Sequence, residues 1–179
     1  MADLTGKRVA VLVDDYFEEA EFTEPVQALQ DAGAEVTVVS TGNETVHGMH
    51  HAEIGKTFPV DAAIDDISMN DFDALVLPGG TINADSLRMN EGARSWIKQC
   101  MSSKKPLAAI CHAPWALASA GVVVGRHLTS YSTIQDDMRN AGADWTDEEV
   151  VIDGNLITSR MPDDIPAFNT ALISMLQTT

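Results

Sequence analysis

The sequence has few basic residues and no long hydrophobic run. It contains 11 Lys and Arg against 27 Asp and Glu, which gives a formal net charge of −16. Such a surface repels phosphate backbones and anionic lipids. The first apolar run covers only residues 9–13, and no later run is long enough for a signal-peptide core or a spanning helix. We therefore expect a cytoplasmic protein with no nucleic-acid partner and no membrane partner.

Cysteine is also scarce. Cys100 and Cys111 lie only eleven positions apart in a chain that we expect to be reduced, so no structural disulfide is predicted. Cys100 belongs to the helical pattern "SWIKQCMSS", which indicates a structural residue. Cys111 needs an explanation of its own, because it follows a short apolar run and precedes a histidine.

The chain contains enough apolar residues for a substantial core. With 179 residues, 45% of them hydrophobic, it is predicted to form a single domain over residues 1–179. Strand patterns alternate with helical patterns along the sequence. This alternation predicts an α/β fold, a three-layer sandwich with a mainly parallel sheet of the flavodoxin-like or class I glutamine amidotransferase-like kind.

The predicted elements follow from hydrophobic period and from turn residues. The predicted strands are "KRVAVLVDD", "AEVTVVS", "FDALVLPGG", "KPLAAI" and a pair within "EEVVIDGNLITSR" that is joined by a two-residue turn at Asp153-Gly154. The predicted helices are "EFTEPVQALQDAG", "NEGARSWIKQCMSS", "HAPWALASAG" and "MPDDIPAFNTALISML". Residues 41–70 show no clear period, which indicates a hairpin or an irregular excursion from the sheet.

Parallel sheets bind and react at the carboxyl ends of their strands. At one such end, "AAICHAP" has the order strand, cysteine, helix that is typical of a nucleophile elbow. A helix N-terminus would favour the thiolate of Cys111 and lower its pKa; the alternative is an inert cysteine in the core. His112 could act as its base or merely cap a turn, and the conformation of the elbow decides which.

Two other strand ends could complete such a site. In "PGGT", the N–H of Gly80 could join that of His112 in holding an oxyanion, although most Gly-Gly pairs after strands are only turns. The first strand is followed by five acids, most of which we expect to be solvated, and composition does not choose among them. One of them could lie near the thiol with a raised pKa. The acids are Asp14, Asp15, Glu18, Glu19 and Glu21.

Five blocks resemble a known family, in the same order and over nearly the whole chain. They are "FEEAEFTEP", "FDALVLPGG", "AAICHAP", "TSYSTIQDDMRNAGADW" and "EEVVIDGNLITSRMPDD". They resemble the ThiJ/PfpI superfamily, specifically its PfpI-like branch of intracellular proteases and stress proteins, which is related to the parkinsonism-associated deglycase and chaperone proteins.

The resemblance implies roles for individual residues. It places the nucleophile on Cys111, its supporting glutamate on Glu21, a second recurrent acid on Glu18, the histidine of the peptidase-type branch on His112 and a pocket tyrosine on Tyr131. It also implies that a neighbouring subunit supplies an acid to the histidine, so the chain should self-associate as a dimer or hexamer.

Two positions differ from the family pattern. The subunit-bridging acid falls on Asp85 in "GGTINADSLR", where this sequence is one residue longer than some relatives. Ala113 replaces the glycine often found after Cys-His, and its methyl group is expected to narrow the site.

Members of this family have been described as peptidases, glyoxalases acting on methylglyoxal, deglycases and oxidation-sensitive holdases, all using the same cysteine. We expect a stress-response enzyme that acts on a small reactive carbonyl and needs no cofactor or metal. The alternatives are an intracellular cysteine peptidase with a peptide substrate and an oxidation-sensing holdase. Metal binding by His47, His50 and His51 in "HGMHH" is a lesser alternative, because no spaced acid or cysteine joins them.

Overall fold

The computed structural model describes residues 2–179, which form strands and helices in alternation. The strands are β1 (Arg8–Leu12), β2 (Phe17–Glu18), β3 (Glu35–Ser40), β4 (Thr45–His50), β5 (Glu53–Pro59), β6 (Ala62–Ala63), β7 (Ala74–Leu77), β8 (Leu107–Ile110), β9 (His127–Leu128), β10 (Asp144–Trp145), β11 (Val151–Asp153) and β12 (Leu156–Ser159). The α-helices are α1 (Glu19–Asp31), α2 (Thr81–Met89), α3 (Glu91–Ser102), α4 (Pro114–Ser119), α5 (Gln135–Asn140) and α6 (Ile165–Thr178).

Seven strands form the central sheet, in the order β11-β12-β8-β7-β1-β3-β6. All neighbouring pairs are parallel except β11 with β12. The strands β7, β8 and β12 are buried at every position, as expected when helices cover both faces of a parallel sheet. The predicted α/β fold with a mainly parallel sheet is therefore confirmed.

The core has two halves, one on each face of the sheet, because successive side chains of a strand point in opposite directions. In β1, Val9 and Val11 pack with α1 and α6, where Phe168 is fully buried. Ala10 and Leu12 pack on the other face with α2, α3 and α4. Burying each large apolar side chain contributes about 1.5 to 3 kcal/mol.

The segment 41–70 contains the β4–β5 hairpin, which pairs through β4 with β2 in a second, three-stranded sheet. The two strands predicted within residues 148–160 are observed as β11 and β12. In this antiparallel pair, Asp153 lies opposite Leu156. The turn residues are therefore Gly154 and Asn155, one position later than predicted. Gly154 has φ 59°, a value that glycine adopts without strain.

Three helical regions differ from the prediction, and one of them is helix α5, which was not predicted. Helix α2 was not predicted, because "TINADSLRM" has no clear apolar period. The helix predicted over 112–121 covers only Pro114–Ser119, because the chain turns sharply at Cys111 and the N–H of Ala113 donates to the carbonyl of Ile110 (3.1 Å). Within residues 2–179, no helix is both long enough and apolar enough to cross a membrane.

Candidate active site

Cys111 follows β8 in a backbone conformation that L-residues rarely adopt. Its φ is 65°, in the left-handed region, which costs about 1 to 2 kcal/mol for a residue with a Cβ. Two hydrogen bonds hold this conformation: the N–H of Cys111 donates to Ser159 O (3.0 Å), and its carbonyl accepts from the N–H of Tyr131 (2.8 Å). The end of β12 and the Tyr131 loop thus hold the nucleophile elbow from both sides.

The elbow brings the side chain of His112 back toward the sulfur. Nδ1 of His112 lies 3.1 Å from Sγ of Cys111, within hydrogen-bond reach. The imidazole stacks on the Tyr131 ring at a centroid distance of 4.9 Å and contacts Trp115 edge-on at 5.3 Å. Burial lowers the pKa of His112, so the ring is neutral at neutral pH and able to accept a proton.

The other ring nitrogen of His112 faces hydroxyl groups within its own chain. Nε2 lies 3.5 Å from Oγ1 of Thr81 and 3.4 Å from Oγ1 of Thr133. Asp85, the predicted acidic partner, is exposed on α2 and does not line the cleft that contains Cys111. A single chain therefore does not bring Asp85 together with the other predicted site residues.

Glu21 is the acid of the first strand end that reaches the thiol. Its side chain is fully buried, and Oε2 accepts a hydrogen bond from the N–H of Gly79 (2.9 Å). Oε1 is buried and accepts no hydrogen bond from the described residues. Burial raises the pKa of Glu21 to about 8, and the charge of Glu18 adds to this. Glu21 is therefore protonated at neutral pH and carries a hydroxyl that can donate.

The thiol pKa differs in direction from the prediction. Burial raises the pKa of the Cys111 thiol, and a charged Glu21 would raise it further. The backbone N–H groups of Gly80 and His112 act against this shift. The predicted lowering by a helix N-terminus does not hold, because α4 has only six residues and begins with Pro114, which has no N–H. The resting group is a thiol that needs a base.

The turn after β7 lies directly against the elbow. A Cβ on Gly79 would lie 2.6 Å from Cβ of Cys111, so only glycine fits there. Gly80 has φ 89°, and a Cβ on it would lie 2.7 Å from the backbone nitrogen of Glu18. This close approach leaves the N–H groups of Gly80 and His112 beside the sulfur, where an oxyanion would form.

A buried polar network holds this turn in place, and sequence reasoning did not identify it. Asn83 of α2 donates from Nδ2 to the carbonyls of Pro78 (3.0 Å) and Gly79 (2.9 Å). Its Oδ1 accepts from the N–H of Asp14 (2.7 Å). The carboxylate of Asp14 accepts from three hydroxyls, those of Ser40, Thr41 and Ser86. Asp14 and Asn83 are therefore positioning residues for the glycine turn.

Cys111, His112 and Glu21 line a cleft of about 1000 Å³ at the carboxyl ends of the strands. The other predicted site residues that line it are Gly80, Glu18 and Tyr131. The cleft is also lined by residues that were not predicted, among them Tyr16, Met49, Ile82, Thr133, Met161 and Asp163. Tyr16 has φ 67°, which is rare for a bulky residue and leaves no signal in the sequence.

Ala113 lies outside the cleft. It is 2% exposed and packs in the core on the α4 side of the sheet. Its methyl group therefore does not narrow the site, contrary to the expectation from sequence.

The histidines of "HGMHH" pair separately with acids of the first strand end. His47 Nδ1 lies 2.9 Å from Asp15, and His50 Nε2 lies 3.4 Å from Glu19. The backbone N–H of His51 donates to Glu18 (3.2 Å). Within residues 2–179, no three His, Cys, Asp or Glu side chains converge as a metal site would require. These contacts instead attach the β4–β5 hairpin to the segment that carries Glu21.

Residues 7–175 of the chain match the DJ-1/PfpI family. General stress protein 18 of Bacillus subtilis is 46% identical over 96% of this chain and 99% of its own length. A deglycase of Pyrococcus abyssi is 44% identical over 95% of this chain and 99% of its own. A second Bacillus subtilis protein, named "Putative cysteine protease YraA", is 40% identical over 96% of this chain and 99% of its own.

Solved structures show the same fold. The crystal structure of DJ-1beta from Drosophila melanogaster has a TM-score of 0.88 to this chain at 30% sequence identity, covering 100% of this chain and 92% of its own. The α/β architecture that positions Cys111 is therefore shared with DJ-1-like proteins.

Proposed function

The chain belongs to the DJ-1/PfpI family, and on that basis we propose that it is a stress-response enzyme in which Cys111 attacks small reactive carbonyls of the methylglyoxal class. This is a glyoxalase-like or deglycase-like activity. The observation that carries the proposal is the distance of 3.1 Å between Sγ of Cys111 and Nδ1 of His112 at a strained elbow. Nucleophile and base are thus in contact before substrate binds.

The first step is addition of the thiol across the carbonyl. A bond forms between Sγ and the carbonyl carbon, and the π-electron pair moves to the oxygen. His112 takes the thiol proton at Nδ1 and returns it to that oxygen, so the product of the step is a hemithioacetal. The N–H groups of Gly80 and His112 hold the oxygen while its charge develops. The protonated Glu21 donates to the sulfur as it becomes anionic.

Two further observations support a small substrate. The cleft of about 1000 Å³ lies in the range of small-molecule sites. The relative from Pyrococcus abyssi is named a deglycase.

The two unpaired cysteines support a cytoplasmic location, because disulfides form in oxidising compartments.

Turnover of methylglyoxal by the purified protein tests this proposal. The wild type should consume methylglyoxal, and Cys111→Ala should lose at least about 10³-fold in kcat/KM, since the nucleophile is removed. Cys100→Ser is the matched control, because it also removes one thiol but lies outside the cleft, and it should keep the wild-type rate. Equal rates for the wild type and Cys111→Ala would refute the proposal.

A peptidase is the second candidate, and the name of YraA favours it. The same atoms would then attack a peptide carbonyl, with the acyl group carried on Cys111 and the amine leaving with a proton from His112. Hydrolysis of a fluorescent unfolded protein by the wild type but not by Cys111→Ala would support it. Equal hydrolysis by both would identify a contaminating protease.

An oxidation sensor is the third candidate. It is favoured by the Glu21 side chain, which lies beside Cys111 and has a buried Oε1 without a hydrogen-bond partner among the described residues. The hydroxyl of Glu21 could donate to one oxygen of a Cys111 sulfinate. Oxidation of Cys111 by peroxide should then stop at the sulfinate in the wild type and continue to the sulfonate in Glu21→Ala. Identical products in the two proteins, resolved by intact mass, would refute this role.

We infer also that a second copy of the chain contributes Asp85 to His112. The inference is supported by the exposure of Asp85 on α2 and by the absence of a carboxylate at Nε2 of His112 within residues 2–179. The active form is then at least a dimer, and specific activity should fall on dilution below its dissociation constant. A monomer by light scattering with full activity would refute this.

A further inference from the structure

Apart from the titratable side chains of His50, His51 and His112, the charged residues that line the Cys111 cleft are all acidic. Glu18 ends β2, and Asp163 lies in the 3₁₀ turn Pro162–Asp164 that precedes α6, so the two carboxylates come from separate segments. No lysine or arginine is among the described residues that line the cleft. Asp163 is exposed and takes part in none of the ion pairs within residues 2–179. A bound ligand would therefore meet carboxylates that no lysine or arginine of the cleft neutralises.

Arg160, next to the lining residue Met161, is not free to supply that counter-ion. Its guanidinium donates to Asp147 (2.8 Å) and, from Nε, to Asp164 (2.9 Å). These pairs satisfy its charge within the protein. Moving it toward a ligand would break hydrogen bonds to two carboxylates, which cost more to lose than neutral ones.

The aromatic rings of the cleft suit a positive group. The Tyr131 ring stacks on His112, and Tyr16 contributes a second phenol ring. The strained backbone of Tyr16 is held by its N–H, which donates to the carbonyl of His47 (2.7 Å). Ring faces carry negative electrostatic potential and attract cations. The Tyr16 ring stacks on His47 at a centroid distance of 6.1 Å, so a cation must use the opposite face of either tyrosine ring. At those faces the rings and the carboxylates favour the same sign of ligand charge.

We propose that the cleft selects carbonyl substrates that are neutral or carry a positive charge near the reacting carbonyl, and that it disfavours carboxylates and phosphates. Asp163 and Glu18 are the specificity-determining residues. This inference rests on the proposed carbonyl chemistry of Cys111. Each charge contact is partly exposed, so we expect it to change kcat/KM by about two- to five-fold.

Two pairs of matched substrates measure this selectivity. In the first pair, phenylglyoxal carries a para-trimethylammonio or a para-tert-butyl group, which have similar shapes and differ by one positive charge. In the second pair the para group is a carboxylate or a carboxamide, which differ by one negative charge. The para groups also change the electrophilicity of the carbonyl, so each kcat/KM is divided by the rate constant for addition of free 2-mercaptoethanol to the same substrate. In this normalised kcat/KM, we expect the cationic member to exceed its neutral partner and the anionic member to fall below its neutral partner.

Charge-neutralising variants assign the effect to residues. For each pair, the selectivity is the ratio of normalised kcat/KM for the charged member to that for its neutral partner. In Asp163→Asn and in Glu18→Gln, both ratios should move toward one by about two- to five-fold. Asp65→Asn removes the same charge from an exposed acid that does not line the cleft, and should leave both ratios unchanged. Ratios within one protein cancel any loss of folded enzyme. Raising NaCl from about 0.05 to about 0.5 M should also reduce the selectivity, because salt screens exposed charges.

The outcomes separate this inference from the proposed function. Turnover of all four substrates with both ratios near one would overturn the charge selectivity and leave the carbonyl chemistry standing. Preference for the carboxylate, or equal shifts in Asp65→Asn and Asp163→Asn, would also overturn it. Absence of Cys111-dependent turnover of every substrate would overturn both.

Discussion

Cys100 and Cys111 are both buried and unpaired, yet they differ in backbone conformation and in polar neighbours. Cys100 lies in the regular helix α3, and Sγ donates weakly to the carbonyls of Lys105 and Pro106 (both 3.5 Å). Cys111 lies at a left-handed elbow, opens onto a cleft and has a histidine and a carboxyl group beside it. Backbone strain and polar neighbours, not burial, therefore separate a reactive thiol from a structural one.

The pKa shifts make the same comparison sharper. Burial raises the pKa of Cys100 to about 12, and it raises that of Cys111 as well. Neither cysteine is a resting thiolate, so a low intrinsic pKa does not distinguish them. Only Cys111 has a neutral imidazole within reach to take its proton. The reactivity of Cys111 should thus depend on His112 more than on any other neighbour.

The largest expected effect comes from removing that base. His112→Asn keeps a polar side chain but has no group that can take up a proton, and we expect methylglyoxal turnover to fall by roughly 10² to 10⁴. His127→Asn is the control, because His127 lies in β9 outside the cleft. Steady-state kinetics on the two variants measures the difference. If His112→Asn kept most of its activity, the general-base role would be wrong.

The next effect comes from the glycine turn that faces the elbow. Gly80→Ala should displace the N–H of residue 80 and reduce kcat by about 10²-fold. Gly121→Ala is a matched control: Gly121 also has a positive φ (73°), but a Cβ there would meet no atom within 4 Å. Both variants carry backbone strain, so the excess loss in Gly80→Ala reports the clash with Glu18 and Phe17. If Gly80→Ala and Gly121→Ala lost the same kcat and the same free energy of unfolding, the role of the Gly80 N–H would be wrong.

Between about pH 4.5 and 8, Glu21 should give a pH effect on stability, whereas the raised pKa of Cys100 acts only above about pH 9. The pKa of Glu21 rises from 4.5 to about 8 on folding, so the folded state holds a proton that the unfolded state releases. This stabilisation is present below about pH 4.5 and is lost as the pH rises to about 8. Relative to Glu21→Gln, the free energy of unfolding of the wild type should therefore fall by about 2 to 4 kcal/mol over that range. Urea unfolding of the two proteins at several pH values measures this difference. If their free energies of unfolding changed with pH in parallel, Glu21 would be ionised in the folded state.

The smallest effect is expected at Cys100 itself. Cys100→Ser should keep the hydrogen bonds to Lys105 and Pro106 and lower the free energy of unfolding by about 1 kcal/mol, because a hydroxyl costs more to bury than a thiol. Its methylglyoxal turnover should match the wild type. A large loss of activity with normal folding would mean that Cys100 takes part in the chemistry.

The sequence predicts six of the seven strands of the central sheet, and β1, β7 and β8 are recognised as continuous apolar runs between turn residues. The two-residue strands β2, β6, β9 and β10 were not predicted. The family resemblance places Cys111, His112 and Glu21, and the structure brings all three to one cleft. Helix α2 was missed because tertiary contacts, not an apolar period, stabilise it.

Other features leave no local signal. The φ of Tyr16 and the burial of Asp14 depend on contacts with residues distant in sequence. The direction of the Cys111 pKa was predicted wrongly because the length of α4 and the burial of the thiol are tertiary properties. Each of these errors has the same physical origin, since hydrophobic period and turn chemistry report only the immediate neighbourhood of a residue.

Competitive alkylation of the native wild type compares the two thiols in one experiment. After brief treatment with iodoacetamide at neutral pH, peptide mass spectrometry gives the modified fraction of each cysteine. Cys111 is 7% exposed, opens onto the cleft and adjoins His112, whereas Cys100 is 0% exposed. We expect Cys111 to be labelled at least about 10-fold faster, and His112→Asn to slow that labelling. Equal labelling, or faster labelling of Cys100, would contradict the assignment of Cys111 as the nucleophile.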